Sequence, residues 1–140
     1  MSNRRQQGSA SLEALLVIAL LLIPAAALLA QAPQWVATAH ATQIAANEAA
    51  RAFVLADTPT DAVQAAETVA VAVLANHGQD PTDLLDVTTS GVFSRGETIT
   101  VTVTTRGQPV IVPGLGETGP DHTISRSATE RIDDYRGFAP

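Results

Sequence analysis

The chain has 140 residues, no cysteine, eight arginines with no lysine, and a formal net charge of −6. That length holds one domain plus an appended segment, not two sizeable cores. The missing cysteine excludes disulfides, thiolate metal sites and thiol nucleophiles, and the acidic balance argues against nucleic-acid binding, which needs a basic patch.

Residues 1–8, MSNRRQQG, form a short polar leader that carries Arg4 and Arg5. They are expected to be disordered on the cytoplasmic side of a membrane. An apolar run follows, with one carboxylate, Glu13, near its start. Between Ala14 and Ala32 only Pro24 and Gln31 are not apolar. A helix rises about 1.5 Å per residue, so ~20 such residues cross a hydrocarbon layer of roughly 30 Å. Residues 9–33 are therefore predicted to be a membrane-spanning helix, kinked at Pro24, with a second kink or a brief break at Pro33. Beyond Pro33 the chain has six arginines against thirteen acids. This asymmetry predicts a cytoplasmic N-terminus and an exported C-terminal part.

Residues 34–56 are rich in alanine and free of glycine, with Glu48 three residues before Arg51. They predict a continuation of the helix past the membrane. Trp35 falls just after the span, where aromatic side chains anchor at headgroup level; ordinary core packing is the plainer alternative. Residues 57–135 are expected to form a small extracytoplasmic domain, and residues 136–140 a tail. Thr58-Pro59-Thr60-Asp61 predicts a helix start, with Thr58 as cap, Pro59 in the first turn and Asp61 at capping-box spacing. Val63, Ala66, Ala70, Val73 and Leu74 mark its apolar face, and Gly78 a left-handed stop.

The period then changes. Leu85 to about Phe93 reads as a weak strand, Ser94-Arg95-Gly96-Glu97 as a turn, and Thr98 to Thr105, with alternating Ile99, Val101 and Val103, as the strongest strand signal. Residues 106–121 read as a long Pro/Gly loop whose apolar tip, Val110-Ile111-Val112, is expected to fold back on the small core, with docking on a partner subunit as the alternative. Thr123 to about Ile132 predicts a third strand. The fold class expected is α+β: a long N-terminal helix continuing outside the membrane, a second short helix and an antiparallel sheet of about three strands.

No catalytic constellation emerges. His40, His77 and His122 lack partners at metal-ligand spacing. Ser90, Ser94, Ser125 and Ser127 do not occupy a nucleophile elbow. Pro113-Gly114-Leu115-Gly116 lacks the residues of a phosphate loop, and Asp133-Asp134 reads as a solvated pair. No metal or other cofactor is expected, and the chain is expected not to be an enzyme.

The N-terminal pattern differs. A carboxylate in a membrane-bound segment costs about 2.5–3.5 kcal/mol at mid-bilayer, and less near the interface, and invites a functional explanation. A cut after Gly8 would give Ser9 a free α-amine. Glu13, four residues on and about 6 Å further along the same helix face, would then be placed to pair with the amine of a neighbouring subunit. A tolerated carboxylate reaching back to water is the simpler alternative.

Gly8-Ser9-Ala10-Ser11-Leu12-Glu13 ahead of a long apolar helix resembles the type IV pilin leader. Within that family it most resembles the TadE-like minor pseudopilins of tight-adherence (Flp-type) pilus systems, which the Ala-rich run Ala45–Ala52 and the Thr/Val strand before a Pro-rich loop also resemble. The resemblance implies cleavage after Gly8 by a prepilin peptidase, Glu13 as the fifth mature residue, and other pilin subunits, the assembly machinery and membrane lipid as partners. Ser9 departs from the Phe of common type IVa pilins, and Ala14 from the Tyr that follows Glu in major Flp pilins. Both departures disfavour a major pilin. The implied role is a minor structural subunit in the cytoplasmic membrane, single-pass, N-terminus inside, reaching the cell surface or pilus after assembly. Two alternatives remain: a secreted domain whose signal peptide is cut after Ala30-Gln31-Ala32, and a single-pass anchored extracellular protein.

Overall fold

The computed structural model describes residues 4–118 and 122–135, with side chains from residue 12 onward. The architecture is α+β. Helix α1 spans Arg4–Leu55 and helix α2 Pro59–Asn76. A short 3-10 turn at Pro81–Asp83 leads into strands β1 (Leu84–Ser90), β2 (Thr98–Arg106), β3 (Val110–Val112), β4 (Gly116–Thr118) and β5 (Thr123–Arg131). The chain divides into two compact units, Met1–Pro33 with Pro109–Pro120, and Gln34–Gln108 with Asp121–Pro140.

α1 is longer and less interrupted than its sequence suggests. It starts at Arg4, inside the segment expected to be disordered, and carries both Pro24 and Pro33 without a break. Each proline removes one backbone donor, and the alanine- and leucine-rich turns on either side hold the helix through both.

In the larger unit the sheet has the order β1-β2-β5, all antiparallel. Its two faces follow from the alternation in β2. Ile99, Val101, Val103 and Thr105 are buried. Thr100, Thr102 and Thr104 face the other way, where their hydroxyls meet those of Thr129, Ser127 and Ser125 at 3.0, 2.9 and 2.9 Å. Against the apolar face lie small residues: Ala41, Ala45, Ala46, Ala49 and Ala50 of α1, and Ala62, Ala66, Ala70 and Leu74 of α2. Alanines at these positions let backbones approach closely, so little aromatic volume is needed. One aromatic pair closes an end of the core, Phe53 edge-on to Phe93 with centroids 5.7 Å apart. Two threonines of α1 are buried with their hydroxyls satisfied. Thr38 donates to the Gln34 carbonyl and approaches Gln79, and Thr42 bonds the Thr38 carbonyl and the Thr105 hydroxyl, both at 2.8 Å.

The ends of α2 match their sequence signals in detail. Thr58 accepts from the Asp61 amide and its hydroxyl meets the Asp61 carboxylate at 2.7 Å. At the other end Gly78, at φ 72°, supports paired bonds from the Gly78 amide to Ala75 and from the Gln79 amide to Leu74, the arrangement a left-handed cap produces. The expected apolar face is largely the one observed: Ala66, Ala70 and Leu74 are buried and Val73 packs against the core, while Val63 is exposed and its neighbour Ala62 is buried.

The smaller unit corrects the reading of residues 106–121. Within that stretch β3 and β4 form a hairpin, with Val110 opposite Thr118, Ile111 opposite Glu117 and Val112 opposite Gly116. Gly114 and Gly116, both at positive φ, shape its turn, which the Leu115 amide closes on the Val112 carbonyl. Of the Val-Ile-Val segment, Val110 and Val112 are half-buried and Ile111 is exposed. Ile111 is 52% exposed and Leu115 76%, and neither belongs to the buried cluster. Ile111 has its backbone groups taken by a side chain of α1: the Gln31 amide donates to its carbonyl and accepts from its N–H, both at 2.7 Å.

Candidate functional site

The candidate site is the N-terminal part of α1. The backbone of Arg4, Arg5, Gly8 and Ser9 lies in the helix, and their side chains lie outside the described residues. Glu13 follows in the same helix and is exposed. With Ser9 and Glu13 both helical and four residues apart, they share a face at a separation of about 6 Å along the axis. Among the described residues no hydrogen bond or ion pair engages the Glu13 carboxylate. In a chain beginning at Ser9, Glu13 would also fall near the helix N-terminus, where the macrodipole favours a negative charge.

The side chains that follow are apolar and open. Leu15 is 69% exposed, Leu20 77% and Leu29 74%. From Leu12 onward this is one helix long and apolar enough to cross a membrane, close to the N-terminus. A surface of that size costs about 25 cal/mol per Å2 to leave in water, so it calls for lipid or for other helices.

Trp35, expected at a headgroup boundary, is half-buried, and its indole N–H is enclosed with no hydrogen-bond partner among the described residues. The other sequence candidates are not brought together. His77 bonds the Val73 carbonyl through Nδ1 at 2.8 Å, while His40 and His122 are exposed. Ser125 and Ser127 belong to the hydroxyl rows of the sheet. Asp134 pairs with Arg131 at 3.0 Å and Asp133 accepts from the Tyr135 amide. Among the described residues no group of three or more His, Asp or Glu side chains could hold a metal ion. Among the described residues the carboxylate held below the usual range is that of Asp80, which accepts from the Thr82 backbone amide and, secondarily, from its hydroxyl. That is turn chemistry, not catalysis.

The residue that sequence reasoning passed over is Gln31. Its one signal was being polar in an apolar run. Its amide is fully engaged, with Nε2 donating to the Ala27 carbonyl as well as to Ile111.

Comparison of the chain with protein-family models, with curated proteins and with solved structures finds no match.

Proposed function

We propose that this chain is a minor pilin-like (pseudopilin) structural subunit for assembly of an Flp or other type IV-type pilus, or of a related secretion system. The observation that carries the reading is Gly8 and Glu13 at their particular spacing, at the head of a continuous helix whose apolar side chains are open to a partner. A prepilin peptidase trims the leader after Gly8. The helix then waits in the cytoplasmic membrane, with Arg4 and Arg5 having kept the N-terminus inside and the C-terminal domain outside. Extraction brings it against other subunits. There the Glu13 carboxylate neutralises a neighbour's Ser9 amine, and the pairing sets the register of helices that could otherwise slide.

The geometry of Gln31 supports retention of the helix over secretion. A signal-peptide cut after Ala32 would remove the side chain that binds both backbone groups of Ile111. The apolar run is also longer than the 7–15 residues of a signal core.

The test is a pair of variants in a strain that assembles the fibre. Gly8→Ala blocks trimming. Glu13→Ala leaves trimming and membrane insertion intact but lowers incorporation into the assembled fibre. Normal incorporation of Glu13→Ala would overturn the pairing mechanism.

A further inference from the structure

The hairpin of β3 and β4 is the only other described element in the unit that holds the apolar half of α1. Its position along that helix can be read from exposure. Leu28 is 40% exposed, against 58–77% for the other leucines of the segment. Ala27 is half-buried whereas Ala25, Ala26 and Ala30 are exposed, and Pro24 and Gln31 are half-buried too. Pro24, Ala27, Leu28 and Gln31 recur at i, i+3, i+4 and i+7, which is one helix face. The hairpin therefore lies along α1 from Gln31 toward Pro24, a stretch of about 10 Å.

Three properties fit that place to a lipid boundary. From Gly107 to Gly116 the sequence has no ionisable residue. The turn presents Leu115 and the strand beside α1 presents Ile111, both exposed. The free edge of β3, which in water would be solvated, has the Ile111 N–H and carbonyl taken by Gln31. Backbone groups near hydrocarbon need such partners, since lipid offers none. Glu117, opposite Ile111 and exposed, keeps a charge at the level of Gln31 and marks the water side.

We infer that the hairpin of residues 110–118 is a membrane-interface element: its turn, led by Leu115, enters the headgroup and outer acyl region beside α1, and Gln31 holds it there. Elements that lie in this boundary bury their apolar face by about 5–10 Å, which matches the stretch of helix the hairpin follows. The inference rests on the membrane-spanning reading of α1. It assigns the hairpin a lipid surface, not a protein, because the apolar patch continues the exposed apolar surface of the helix itself.

The absence of cysteine permits single-site labelling of the full chain. Leu115→Cys, Leu21→Cys and Thr102→Cys, each carrying an environment-sensitive NBD probe, are reconstituted separately into phosphatidylcholine vesicles. Quenching is read with nitroxide lipids labelled shallow or deep in the acyl chain, and with aqueous iodide. The expected result is loss of Leu115 signal chiefly to the shallow nitroxide, of Leu21 signal to the deep one, and of Thr102 signal to iodide. If Leu21 is quenched by iodide, the spanning reading fails and the hairpin inference falls with it. If Leu21 reports lipid but Leu115 reports water, the hairpin inference alone is overturned. Leu115 shielded from both quenchers only at high protein density would assign the patch to a second copy and overturn the lipid assignment. In a Gln31→Ala background the Leu115 probe should lose its lipid quenching while Leu21 keeps it. Unchanged quenching there would overturn the anchoring role of Gln31.

Discussion

The buried contact between Thr42 of α1 and Thr105 of β2 offers a quantitative test of how the helix is held to the sheet. The two hydroxyls lie 2.8 Å apart, and Thr42 also reaches the Thr38 carbonyl at 2.8 Å. A hydroxyl has one proton. With Thr42 donating to Thr38, Thr105 donates to Thr42, and its only other acceptor is the Ile124 carbonyl at 3.5 Å. Thr42→Val keeps the side-chain shape but leaves the Thr105 donor, 1% exposed, with only the long contact to the Ile124 carbonyl. An unsatisfied buried donor costs about 1–3 kcal/mol, against about 0.5–1.5 for a typical bond lost. Thr105→Val removes the donor and leaves Thr42 its bond to Thr38, so it falls at the low end. The double variant strands nothing and is expected to be less destabilised than Thr42→Val alone. Urea unfolding of the full chain in detergent, followed by far-UV circular dichroism, gives the four midpoints of the cycle. Additive costs, or a Thr42→Val variant as stable as the parent, would refute the proton assignment and the coupling it implies.

The same unfolding assay separates two glycines. Gly78 needs only its positive φ of 72°, with nothing within 4 Å of an added Cβ, whereas a Cβ at Gly91 meets the Thr98 carbonyl oxygen at 2.5 Å. Gly78→Ala should cost about 1–2 kcal/mol, the ordinary left-handed penalty, and Gly91→Ala more; the reverse order would contradict the geometry. Asp80 should titrate below the ordinary aspartate value of about 3.9 in a carboxyl NMR experiment, and Thr82→Val should move it partly back, since the backbone bond remains. The folded-state value is the lower one, so the contribution of Asp80 to stability is present above the unfolded value and is lost as pH falls through the folded one. A titration unchanged by Thr82→Val would show that the hydroxyl has no part in it.

How far the sequence carried the fold varies by element, for physical reasons. The second helix was legible to its caps because Thr58, Pro59 and Gly78 act through local backbone geometry. β2 was legible because its alternation reports two faces of different polarity. The β3 and β4 hairpin was not. Each strand has three residues, too few for a period to register, and the partner that satisfies Ile111 lies 80 positions away at Gln31. At Pro33, where a kink or a brief break was expected, the helix continues without a break, the intact turns around it offsetting one lost donor. On α2 the apolar face was legible apart from Val63, which hydropathy ranks above Ala62 but which is exposed while Ala62 is buried. The candidate site stands the other way round. Gly8, Ser9 and Glu13 were singled out by their spacing and by the resemblance to a pilin leader, and a single chain adds only their shared helix and the exposure of Glu13, because their proposed chemistry lies between subunits.

The central claim is that the helix is trimmed after Gly8 and kept. The mass of the mature N-terminal peptide, taken from the membrane fraction of cells making the full chain, tests it most directly. The account predicts a chain that begins at Ser9; one that begins at Pro33, or that retains Met1 or Ser2, would contradict it.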